Sequence, residues 1–130
     1  MNIMNKKILV LISVILLTLI TACGGGGSSG PVLFGSIAVD KTRTLETGIA
    51  AGYQTQSEAD LMAKQNCGFP TCVVVKQFTG PGQCAVTAWS VGGIVSYGLG
   101  STKSDAEVSA LRNCADAGGR YCELSKFVCM

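Results

Sequence analysis

Cysteine is the residue type with the most chemical potential in this chain. There are seven, at Cys23, Cys67, Cys72, Cys84, Cys114, Cys122 and Cys129, and there is no histidine. A zinc centre wants closely spaced thiolates or imidazoles, typically as C-x2–4-C pairs. The spacings here are C-x4-C and C-x7-C without histidine, so no metal and no metal-borne cofactor is expected. No C-x-x-C occurs, which argues against a redox-active dithiol. Without histidine, Ser-His-Asp and Cys-His nucleophilic mechanisms are excluded. Four acids, Glu58, Asp60, Asp105 and Glu107, could in principle serve two-carboxylate glycoside hydrolysis. Their placement at the starts of two expected helices suits a plainer role, opposing the positive end of the helix dipole. Trp89, Tyr97, Tyr53 and Tyr121 are candidates for a recognition surface, since Trp and Tyr are enriched at binding hot spots. Lys41 and Arg43 join them as candidate contacts. Trp89 has a competing account as a core residue on a strand, and Lys41 and Arg43 as a solvated turn.

The elements that position these residues follow from an internal echo. Ser57-Glu58-Ala59-Asp60-Leu61-Met62-Ala63-Lys64-Gln65-Asn66-Cys67 returns 47 residues later as Ser104-Asp105-Ala106-Glu107-Val108-Ser109-Ala110-Leu111-Arg112-Asn113-Cys114. Ser57 and Ser104 are the expected N-caps, with Asp60 and Glu107 three residues on as in a capping box. Ala59, Ala63 and Cys67 fall at i, i+4, i+8, as do Ala106, Ala110 and Cys114. Each helix thus presents one narrow face of small residues for close packing. Gly118 and Gly119 are suited to end the second helix. Strands are expected over 32–39, 48–53, 72–78, 84–90, 94–99 and 122–129, with Cys72-Val73-Val74-Val75 the strongest β-branched run. Gly35 to Val39 is matched with Gly82 to Val86 at the same 47-residue offset, which aligns Cys84 with Ile37. Each copy reads β-β-α-β. The expected fold is α+β: two repeats, 32–79 and 80–130, forming one mainly antiparallel sheet with both helices packed on it.

The N-terminus decides the redox setting. Lys6 and Lys7 precede an apolar run from Ile8 to Ile20, and Ile20-Thr21-Ala22-Cys23 follows. That is the layout of a secretory signal over 1–22. The run is too short to span about 30 Å of hydrocarbon, which takes roughly 20 residues. The segment resembles a bacterial lipobox, which implies that Cys23 is lipidated and becomes the mature N-terminus. Gly24 rather than Asp after it implies the outer membrane, by the same resemblance. Residues 23–31 then form the lipidated cysteine and a Gly/Ser tether. Beyond Lys6 and Lys7 the chain holds eight basic and eight acidic residues, so no net field remains to attract nucleic acid.

In an exported chain, the six cysteines after Cys23 point to a disulfide framework. The echo makes Cys67–Cys72 and Cys114–Cys122 the economical pairs and leaves Cys84–Cys129. Cross-copy pairing stays open.

One resemblance spans almost the whole domain. It rests on Gly35-x-Ile37-Ala38, Gly52-Tyr53, Ser57 to Cys67, Cys72-x-Val74-Val75, Cys84-Ala85-x-x-Ala88, Ala106 to Cys114 and the terminal Cys129. In that order the chain resembles the bacterial exported family known as domain of unknown function 4189. The resemblance implies an envelope or secreted module and supplies no catalytic residues. The expected function is a lipid-anchored envelope binding or accessory module, with an envelope protein or cell-wall partner. A periplasmic immunity-type inhibitor of a toxin is the alternative, and a carboxylate-dependent cell-wall hydrolase ranks below it.

Overall fold

The computed structural model describes residues 30–42 and 45–130. The signal segment, Cys23, the Gly/Ser stretch up to Ser29, and Arg43 lie outside the described residues. The elements run β1 (Leu33–Val39), β2 (Thr47–Tyr53), α1 (Gln56–Cys67), β3 (Val73–Gly80), β4 (Cys84–Val91), β5 (Val95–Gly100), α2 (Lys103–Asp116) and β6 (Arg120–Cys129). Both halves therefore carry the order β-β-α-β. No helix among the described residues is long and apolar enough to cross a membrane.

Both helices bury the small faces that their spacing implies: Ala59, Ala63 and Cys67 on α1, and Ala106, Ala110 and Cys114 on α2. Their starts lie two residues earlier than the serines suggest. Thr55 and Thr102 are the N-caps, their hydroxyls accepting from Glu58 N and Asp105 N. The acid three residues after each threonine completes the Thr-x-x-acid signature. Ser57 and Ser104 lie inside the first turn instead. At the other ends, Gly68 (φ +88°) and Gly118 (φ +88°) take the left-handed conformation that stops a helix.

The repeated asparagine has a job in both halves. Asn66 Nδ2 donates to the Ile49 carbonyl at 2.8 Å, and Asn113 Nδ2 donates to the Tyr97 carbonyl at 2.7 Å. Each strap ties the last turn of a helix to the second strand of its own half. Close approach makes this possible: a Cβ at Gly48 would sit 2.0 Å from Ala63 O, and one at Gly98 2.2 Å from Ala110 N. Only glycine lets helix backbone rest on strand backbone there.

The strands form two antiparallel three-stranded sheets, β2-β1-β3 and β5-β4-β6, rather than the single sheet expected. The reason is that each central strand finds both neighbours in its own half. β1 has an edge taken by β2 and an edge taken by β3, and β4 is flanked by β5 and β6 in the same way. The halves then join by their faces. Ile37, Ile49 and Phe78 of the first sheet meet Ala85 of the second, with Tyr97, Leu99, Val128 and Met130 around them. α1 covers the outer face of the first sheet over Ala38 and Ala50. α2 covers that of the second over Val86 and Ala88. The result is four layers, helix, sheet, sheet, helix.

This stacking also overturns the strand part of the 47-residue echo. Ile37 faces the inner core, whereas Cys84 packs under α2. Ile37 pairs with Ile49, and Thr87 pairs with Tyr97. The two asparagine straps make Ile49 and Tyr97 equivalent, so the counterpart of Ile37 is Thr87. An odd displacement along a strand exchanges its two faces, so a match at 47 cannot hold in the sheet although it holds in the helices.

Three disulfides close the framework: Cys67–Cys72, Cys114–Cys122 and Cys84–Cys129. This is the economical pairing, and it excludes the cross-copy one. The first two tie a helix end to the strand that follows it. The third links the first residue of β4 to the last of β6, directly across the ladder.

Candidate binding clefts between the two sheets

The sheets approach most closely along β2 and β6. There the Lys126 ammonium donates to the Thr47 carbonyl. The Thr47 and Thr87 hydroxyls meet at 3.3 Å in the same seam. On the other side, β3 and β5 are both free edges of their sheets. A cleft opens between them.

The loop that joins β1 to β2 shapes this region. Asp40 is fully buried, and its carboxylate accepts from the backbone N–H and hydroxyl of Thr42 at 2.9 and 2.8 Å. Asp40 N donates to Glu46 O, pinning the loop at its base. Leu45 sits at φ +56°, a strained position for a side chain of its size. From there it reaches the β4–β5 turn, where a Cβ on Gly93 would lie 3.1 Å from Leu45 Cδ1.

Leu45 and Gly93 line two clefts. The larger, about 640 Å³, is lined by Val73 and Val75 of β3, Ile94, Val95 and Tyr97, with Lys41 as its charged residue. The smaller, about 470 Å³, is lined by Trp89, Ser90, Glu46, Thr47 and Ser125. Trp89 is 42 % exposed. Its neighbours across the ladder are Val95 on one side and Glu123 on the other. Glu46 Oε2 lies 3.9 Å from Lys126 Nζ. Ser90 Oγ is buried and has no hydrogen-bond partner among the described residues.

The structure thus brings together three of the six surface candidates. Lys41 and Tyr97 share the larger cleft, Tyr97 also packing against the inner core. Trp89 lies in the adjoining one. Tyr53 packs instead against the cluster under α1, on the outer face of its sheet. Tyr121, 78 % exposed, sits at the start of β6. Leu45, Glu46, Ser90 and Ser125 were not singled out in sequence. The residues around them gave no local signal, because sheet stacking rather than spacing brings them together.

Three of the four acids near the helix starts, Asp60, Asp105 and Glu107, have structural partners. Asp60 accepts from Gln56 Nε2 and Gln77 Nε2, both at 2.8 Å, and from the Ser36 hydroxyl. Burial pushes its carboxyl pKa up, but these donors and the charge of Lys64 outweigh it and hold the group below its ordinary value. Asp105 accepts from the Ser101 and Thr102 hydroxyls at 3.2 and 2.8 Å. Glu107 pairs with Lys103 at 3.6 Å along α2. Among the described residues, no three His, Cys, Asp or Glu side chains are grouped so as to hold a metal ion.

Residues 34–129 match the family described as domain of unknown function 4189. The chain belongs to that family. The match takes in every residue lining the two clefts and all six disulfide cysteines. No curated protein and no solved structure matches the chain significantly. The family's description carries no activity, so function has to be argued from the clefts.

Proposed function

We infer that this protein is an exported, lipid-anchored recognition module of the cell envelope that works by binding rather than by catalysis. The observation that carries the reading is the gathering of Tyr97, Lys41 and Trp89 on the two clefts that Leu45 and Gly93 line. Clefts with aromatic walls and a few polar groups are the usual form of a binding site. Asp60 ties α1 to two strands, Asp105 serves a helix start and Glu107 an ion pair along α2, which supports a role other than acid–base chemistry for them. The signal segment and Cys23 support a lipid on the mature N-terminus, and Gly24 supports the outer membrane as destination. The stretch Gly24–Gly30 would let the domain stand off from that surface. The balanced charge beyond Lys7 disfavours nucleic acid as a partner.

Two experiments test the reading. In fractionated cells, the wild type is expected in the outer-membrane pellet with an acylated N-terminal peptide by mass spectrometry, and Cys23→Ser in the soluble periplasmic fraction. Unchanged partition of Cys23→Ser would overturn the anchor. Tagged full-length protein is then used to capture partners from envelope and culture-supernatant extract. Capture lost in Lys41→Ala/Tyr97→Ala supports recognition through the larger cleft. A secreted toxin as the captured protein would make the module an immunity-type inhibitor. Turnover of cell-wall material by the purified protein would overturn the non-catalytic reading.

A further inference from the structure

The smaller cleft has the chemistry of a sugar site. A pyranose ring has two kinds of surface: faces of C–H groups and a rim of hydroxyls. A partly exposed indole offers a flat apolar wall with a polar edge, and Trp89 is such a wall. Hydroxyls need acceptors and donors beside that wall. Glu46 supplies a carboxylate, which accepts from hydroxyl groups more strongly than a neutral oxygen does. Ser125 adds a hydroxyl from β6.

Charge narrows the class. Glu46 lines the cleft and Glu123 stands across the ladder from Trp89. Lys126 is already engaged with Glu46 and the Thr47 carbonyl. The carboxylates of this rim accept from neutral hydroxyls. We propose that the cleft built by Trp89, Glu46 and Ser125 binds a neutral pyranose glycan. The proposal rests on the recognition reading above and names the ligand class of one of its two clefts.

Trp89 is the only tryptophan in the chain, so its fluorescence reports on this cleft alone. Full-length protein in a polyoxyethylene detergent, which carries no sugar head group, is titrated with N-acetylchitohexaose, cellohexaose and maltohexaose. Polygalacturonate is the anionic comparison. At least one neutral oligomer is expected to give a saturable fluorescence change, matched by calorimetric heat, and polygalacturonate a weaker response or none. Trp89→Ala should lower the calorimetric affinity at least tenfold and Glu46→Gln several-fold, with Arg112→Ala, exposed on α2 and lining neither cleft, unchanged. Circular dichroism and melting temperature show whether each variant is folded, and Trp89→Phe tests the stacking wall if Trp89→Ala is not. No response to any neutral oligomer up to millimolar concentration overturns the proposal. So does affinity that survives loss of the indole. A protein partner captured through Lys41 and Tyr97, without any glycan response, would leave the recognition module standing and remove this ligand.

Discussion

At the scale of single residues, the acids show how one side chain type divides its labour. Asp60 sits one turn into α1 and collects donors from α1, β1 and β3. It is a tie between three elements. Asp60→Asn keeps the shape but turns one acceptor oxygen into a donor. The expected cost at neutral pH is about 1–2 kcal/mol, the range for hydrogen bonds to a charged group at a half-exposed site. The pH dependence has a definite sign. The folded-state pKa is lowered, so the contribution of Asp60 is fully present above the unfolded carboxylate value of about 3.9. It disappears as pH falls through the lower folded value. Melting curves of wild type and Asp60→Asn should therefore differ at pH 7 and begin to converge only as pH falls below about 4. A gap that persists at low pH would count against the charge as the cause. The helix-start role was legible in sequence for Glu58 and Asp105, because capping and dipole effects are local, but not for Asp60 and Glu107, which lie beyond the first turn once the threonines are the caps. The donors to Asp60 from the sheet beneath α1 were not legible either, since Ser36 and Gln77 are 24 and 17 residues away along the chain.

At the scale of elements, helices were easier to read than strands. The small-residue face at i, i+4, i+8 identified both helices and their buried sides, because the helical period is fixed by local geometry. The caps were misplaced because threonine and serine stand two residues apart in both halves, and each is followed three residues later by an acid. Sequence alone offers two overlapping capping signals, and the preceding strand decides between them. The distinction is measurable. Thr55→Ala should destabilise the fold by about 1 kcal/mol in urea titration. Ser57→Ala should change stability by less than about 0.5 kcal/mol. The reverse order would restore the serine as the cap. The strands were located well, but their faces were not. The false match of Cys84 with Ile37 arose because helix and strand segments of the two halves are displaced by different lengths. Loops absorb such differences freely, whereas a strand transmits them as an exchange of inside and outside.

At the scale of the molecule, the unexpected feature is that two sheets stack where one was expected to extend. Sequence periodicity shows that a strand has a buried face. It does not show whether its edge or its face meets the other half, and that choice also creates the clefts. The disulfides then differ in reach. Two bridges close separations of five and eight residues, and the third closes 45. On loop-closure grounds, removing Cys84–Cys129 as a double serine variant should cost about 4 kcal/mol, against about 2 kcal/mol for Cys67–Cys72. Guanidinium titration of the two variants checks the order, and equal costs would refute it. The nesting of these bridges has a consequence for biogenesis. On the export route proposed above, the chain crosses N-terminus first and presents its thiols to an oxidase one after another. Oxidation of each cysteine with the next would give Cys67–Cys72, which is native, and then Cys84–Cys114 and Cys122–Cys129, which are not. The native Cys84–Cys129 bridge encloses Cys114–Cys122 and requires Cys84 to stay reduced until the end of the chain has crossed, or to be reshuffled afterwards by thiol exchange. The protein should therefore be a client of disulfide isomerase in its second half only. In cells lacking that enzyme, non-reducing peptide mapping is expected to recover an intact Cys67–Cys72 peptide beside scrambled partners of Cys84.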